Sequence, residues 1–166
     1  QVKAMVRDTD GNTYVGGEFS VFDNLDSGMG IALGLTNGLG NPSFPAVTGG
    51  AGTAVNAVAP DGAGGFYIGG SFTDVGGVAR NGLAHITAAG AVDPAWDPNP
   101  TLDPNGGVQV LVVSGGLVYV GGGFSTIGGA SRTNIAAIDA SSGQATAWNP
   151  GANDLSLIHI SEPTRP

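Results

Sequence analysis

Apolar positions in this chain fall into short runs cut by glycine-rich turns, and the runs recur. The stretch TYVGGEF (13–19) returns as FYIGGSF (66–72) and again as VYVGGGF (118–124). Phe19, Phe72 and Phe124 lie 53 and 52 residues apart, Arg80 and Arg132 lie 52 apart, and so do Trp96 and Trp148. A fixed period near fifty residues marks a propeller or another stacked repeat. In the second repeat the runs are Val55–Ala59, Gly65–Phe72, Gly82–Thr87 and Ala91–Trp96, parted by Pro60-Asp61-Gly62, Gly76-Gly77 and Ala89-Gly90. The third repeat follows with Val108–Val113, Leu117–Phe124, Asn134–Ala140 and Gln144–Trp148. Four strands per unit is the content of a propeller blade. The pattern predicts an all-β chain of three four-stranded antiparallel blades of an incomplete β-propeller, with repeats at 1–52, 53–104 and 105–154. A β-solenoid, whose coils are usually shorter, ranks second.

Alternation within the repeated stretch sets Val15, Gly17 and Phe19 on one face and Tyr14 and Gly16 on the other, all apolar or small. Such a strand is buried on both sides. Glycine inside a strand costs roughly 0.5–1 kcal/mol against alanine, so the pairs Gly16-Gly17, Gly69-Gly70 and Gly121-Gly122 need a reason. Close approach of a neighbouring backbone supplies one, and Gly70 and Gly122 should then resist substitution while Gly115, in a hairpin turn, tolerates it. The gapless match of 31–44 to 83–96 and 135–148 places Phe44 where Trp96 and Trp148 stand, at the expected seam between blades. Propellers take about four to eight blades, so three leave two open faces. Val118, Val120 and Trp148 are expected on one of them.

Composition narrows the function classes. Thirteen acidic residues against five basic ones give a net charge of −8, and Lys3 is the sole lysine. Binding nucleic acid needs a basic stripe that this chain lacks. No apolar run reaches the length of a membrane-spanning helix. With no cysteine there is neither a disulfide nor a thiolate site. The chain begins at Gln1 inside an apparent strand, as a piece of a longer protein would.

Candidate chemistry is sparse, and no catalytic residue, cofactor or metal ligand is assigned. Asp8-Thr9-Asp10-Gly11-Asn12 has the opening of a calcium loop, but Glu18 arrives too early to complete it, and Asp-Gly makes a strong hairpin turn. His85 has Leu33 and Ala137 at its matching positions, so it reads as a structural or exposed residue rather than a metal or catalytic one. Asp93 and Asp97 flank Trp96 in a composition that suits a sugar site, with solvent exposure the simpler account. Arg80 and Arg132 recur in a chain poor in bases, which suggests a fixed partner: a carboxylate or turn carbonyls, holding the loop to an adjacent blade, or an anion or sugar on one rim.

Laid out together, GGSFTDVGGVARNGLAHITAAGAVDPAWDPNP (69–100) and GGGFSTIGGASRTNIAAIDASSGQATAWNPG (121–151) resemble the bacterial delta-sixty repeat, a family of β-propeller segments. The shared elements are GG-x-aromatic, GG-x-x-Arg and aromatic-x-Pro in one order and spacing, over about residues 1–154. The first repeat departs, with Ser27 where the arginine belongs. The resemblance implies a secreted or cell-surface propeller within a larger multidomain protein, without established catalytic residues. Its partners would be the remaining blades and a protein or glycan ligand, in adhesion, scaffolding or recognition. The competing expectation is a propeller enzyme acting on polysaccharide, its active site in other blades. Residues 155–166 break the period and look like the translation of a sequencing adapter.

Overall fold

The computed structural model describes residues 1–7, 11–22, 25–26, 28–33, 39–41 and 44–152. Among them every regular element is a β-strand. The first repeat holds β1 (Val2–Arg7), β2 (Thr13–Gly17), β3 (Val21–Phe22), β4 (Leu25–Asp26), β5 (Gly30–Leu33) and β6 (Val47–Thr48). The second holds β7 (Val55–Pro60), β8 (Phe66–Gly70), β9 (Asp74–Val75), β10 (Val78–Ala79), β11 (Leu83–Ile86) and β12 (Thr101–Leu102). The third holds β13 (Val108–Ser114), β14 (Leu117–Gly122), β15 (Phe124–Ile127), β16 (Ala130–Ser131) and β17 (Ile135–Asp139). The adapter-like tail lies outside the described residues.

Each repeat builds one antiparallel main sheet: β1-β2-β5, β7-β8-β11 and β13-β14-β17. These sheets form within a repeat, whereas solenoid sheets run across repeats, so the architecture is blade-like. The sheets are three-stranded, which corrects the expectation of four. The fourth run makes a single bridge in each repeat, Leu33 to Gly40, Ile86 to Val92 and Ile138 to Ala145. Local bonding explains the stop in the second and third. Asp93 Oδ1 takes the Ala95 N–H at 3.0 Å next to Pro94, which has none to give, and Thr146 Oγ1 takes the Trp148 N–H at 3.2 Å. The chain leaves the ladder there.

Short strands lock one repeat to the next. Strand β6 pairs with β9 of the second repeat, and β12 with β15 of the third, so the first and second repeats each donate a strand across the boundary that follows. The β9-β10 and β15-β16 hairpins turn on Gly76-Gly77 and Gly128-Gly129, with φ of 60° and 81° in one and 58° and 78° in the other. Two successive positive φ values fit the right-handed strand twist, and glycine supplies them at least cost.

The apolar core lies between sheets. Val55, Ile68, Phe72, Ala84 and Ile86 pack with Val47 and the half-buried Phe44 at the first boundary. Tyr67, Leu83 and Trp96 pack with Val108, Leu111, Val118, Val120 and Phe124 at the second. Strand β8 is therefore buried along both faces, while β14 alternates.

The glycine pairs divide their work. A Cβ on the second of each pair would strike a carbonyl of the neighbouring strand: Gln1 for Gly17, Ala54 for Gly70, Gly107 for Gly122. A Cβ on the first would meet the next repeat instead, Val55 for Gly16 and Val108 for Gly69. At Gly121 its nearest neighbour is Val110 of the same sheet at 3.7 Å. Among the described residues the third sheet thus presents an unfilled seat that the first two have filled. Val110 and Val112, 42% and 43% exposed, flank it, and Trp148 is 42% exposed. Val118 and Val120 are buried against the second sheet, at 0% and 1%. The expectation that they line the open face is corrected by one pleat: Tyr119 and Gly121 point that way.

Candidate functional site

The chain's most concentrated polar chemistry surrounds His85 on β11, which pairs with Tyr67 of β8. Its Nε2 lies 3.0 Å from Asp61 Oδ2 and its Nδ1 lies 3.1 Å from Asp93 Oδ2. Both ring nitrogens thus face a carboxylate oxygen at hydrogen-bond distance. Tyr67 stacks on the ring at 4.5 Å between centroids, and Trp96 approaches its edge at 6.1 Å. Burial pushes the Asp61 carboxyl up, but the hydrogen bonds from the Ala63 N–H, His85 and the Gly65 N–H outweigh it and hold the group below its usual range. Asp93 behaves alike, with burial opposed by His85 and the Ala95 N–H. Burial, then the charges of Asp61, Asp93 and Asp139, push the Tyr67 phenol up to about 12, so its hydroxyl stays protonated and donates to the Ala140 carbonyl at 3.1 Å.

This cluster clamps the Asp61 turn to the Asp93 segment and leaves His85 no free nitrogen for base catalysis. Asp93 is thereby corrected from a solvent-facing residue to a clamp member, and only Asp97 is exposed. Sequence reading missed it because Asp61 and Asp93 lie 24 and 8 residues from His85. The one available signal was Asp61 at a turn whose loop comes back beside the His85 strand.

Both carboxyls are depressed in the fold, so their stabilisation is fully present above the unfolded value near 4 and is lost as pH falls through the lower folded value. Thermal melts from pH 6 to pH 2.5 should show Asp61→Asn well below wild type at pH 6, with the gap closing below about pH 4. A gap that stays constant with pH would show that the clamp carries no charge.

Arg80 is buried, 6% exposed. It donates from Nη1 to the Ala79 carbonyl at 2.8 Å and from Nη2 to the Asp93 carbonyl at 2.9 Å, with Asp97 3.6 Å away. Arg132 repeats the arrangement on the carbonyls of Ser131, at 2.8 Å, and Thr146, at 2.6 Å. In both, the buried Nε has no partner. These carbonyls belong to the arginine's own repeat, which corrects the expected tie to an adjacent blade. Phe72 and Phe124 are wholly buried, and Phe19 is half-buried. Trp96 is wholly buried and donates from Nε1 across the boundary to the Asp139 carbonyl at 3.2 Å. Trp148 meets only Tyr119, edge to face at 5.6 Å, among the ring contacts described. Of the Asp8–Asn12 segment, residues 8–10 lie outside the described residues. Among the described residues no group of three or more His, Asp or Glu is placed to hold a metal ion. No described helix is long and apolar enough to cross a membrane.

Comparison with known proteins agrees on the architecture. Residues 67–95 match a family described as a β-propeller domain of unknown function, DUF5122. No curated protein matches the sequence. Among solved structures the chain is similar to the extracellular domain of BT4673 from B. thetaiotaomicron, described as a one-component system, with a TM-score of 0.50 at 16% identity. The match covers 83% of this chain and 16% of that one, so this chain spans about a sixth of its neighbour's length. At that identity the likeness shows the fold alone: an all-β, propeller-like arrangement.

Proposed function

We propose that the chain is a non-catalytic segment of a larger bacterial β-propeller, secreted or held at the cell surface, that serves adhesion, scaffolding or recognition of a protein or glycan. Its nearest partners are further blades of the same protein. The observation that carries this reading is the seat at Gly121, which two preceding boundaries fill with Val55 and Val108. A blade with a valine at the matching place completes the series. The extracellular context of the structural neighbour supports the location. The clamped histidine and the carbonyl-bound arginines favour a framework over an active site.

Apolar faces wider than a few hundred Å² favour association in soluble monomers. Light scattering of residues 1–154 should show mass rising with concentration, and the same chain extended by further repeats should be monomeric. A compact, cooperatively unfolding monomer of 1–154 at high concentration would overturn the reading.

A further inference from the structure

The first strands of the three repeats share a feature that a count of identical residues does not reveal. Strands β1, β7 and β13 each bulge at their second residue, between Val2 and Ala4, between Val55 and Ala57, and between Val108 and Val110. The extra residues are Lys3, Asn56 and Gln109. A bulge bends a strand and re-aims one side chain, and bulges gather at rims and binding sites. Here they set three different polar groups side by side, since β7 lies between β1 and β13. Lys3 Nζ reaches Asn56 Oδ1 at 3.4 Å, and Asn56 Nδ2 reaches the Val108 carbonyl at 3.3 Å. The framework residues around them repeat, but the bulge residues do not. Packing alone would favour one residue type at all three.

These side chains border a cavity of about 460 Å³, together with Ser71, Asp103 and Asn105. That volume suits a small ligand. Resting on the recognition reading above, we infer that this cavity binds a neutral saccharide through Asn56, Asn105, Gln109 and Asp103.

The donor set selects that chemistry. Lys3 is already spent on Glu18, at 2.6 Å, and its hydrogen bond and charge hold the Glu18 carboxyl below the usual range. With Lys3 so paired and the chain at −8, the cavity offers no anion a free cation. Amides and hydroxyls each donate and accept, as sugar hydroxyls do, and a carboxylate adds a strong acceptor. Among the described residues the side chains of Asn105, Gln109 and Asp103 make no hydrogen bond, so they are available to a ligand. Asn105 holds φ at 61°, so Asn105→Gly removes the amide while keeping the turn.

The test is amide-resolved NMR of the 166-residue chain against a panel of neutral gluco-, manno- and galacto-oligosaccharides, with polygalacturonate and heparin fragments as acidic members. Shifts confined to the Asn56, Asn105 and Gln109 side-chain amides and their backbone neighbours, with a neutral sugar, are expected. Asn105→Gly and Gln109→Ala should each weaken that response at least tenfold with unchanged melting. Shifts confined to the Gly76-Gly77 and Gly128-Gly129 hairpins would overturn the cavity assignment and leave the recognition reading standing. So would a response to acidic sugars alone, or silence across the panel, which would leave a protein ligand for that reading.

Discussion

Gly70→Val and Gly122→Val are each expected to leave the chain without a cooperative unfolding transition. A Cβ at Gly70 would lie against the Ala54 carbonyl, and one at Gly122 against the Gly107 carbonyl. The obstacle is backbone just ahead of the neighbouring strand, where no rotamer change gives relief. Overpacking a tight interior costs about 1–3 kcal/mol when side chains can yield, and more where the main chain must move. Gly50→Ala is the control, since a Cβ there meets nothing within 4 Å. Urea unfolding followed by near-ultraviolet circular dichroism reads the difference. Losses within 1 kcal/mol of the control at both sites would show that the strands do not approach so closely.

Gly115 shows what sequence alone conceals. It occupies a hairpin turn with open space around it, yet its φ of 60° and that of 78° at Gly116 mark a turn in which valine would be strained. The expected tolerance at Gly115 therefore fails for a backbone reason. The turn was legible from Gly115-Gly116, but its sign of φ was not. Likewise the two-faced burial of the repeated stretch was legible from TYVGGEF and its copies. Which face meets which neighbour depends on how sheets stack, and so Val118 and Val120 exchange places with Tyr119 and Gly121. The fourth strand failed because Asp93, Pro94 and Thr146 bond or block locally, a competition invisible to an apolar count. The His85 clamp and the bulge residues share one cause: their partners are distant in sequence, and they differ from repeat to repeat.

The second large effect concerns the aromatic of each repeat. Trp96 is fully enclosed between the second and third sheets, touches Tyr67 at 4.8 Å and bonds the Asp139 carbonyl. Truncating such a side chain typically costs about 3–5 kcal/mol. Trp148 holds the matching place in the third repeat but stands 42% exposed beside an open face. Its truncation should cost under about 1 kcal/mol, in line with surface substitutions.

This pair tests the central claim, that three sheets stack in series and that, among the described residues, nothing covers the outer face of the last. The measurement is equilibrium denaturation of Trp96→Ala and Trp148→Ala at protein concentrations low enough to keep the chain dispersed. The account predicts a collapse in stability for the first and near-wild-type behaviour for the second. Equal losses at the two positions would contradict it, because the third sheet would then have its outer face covered.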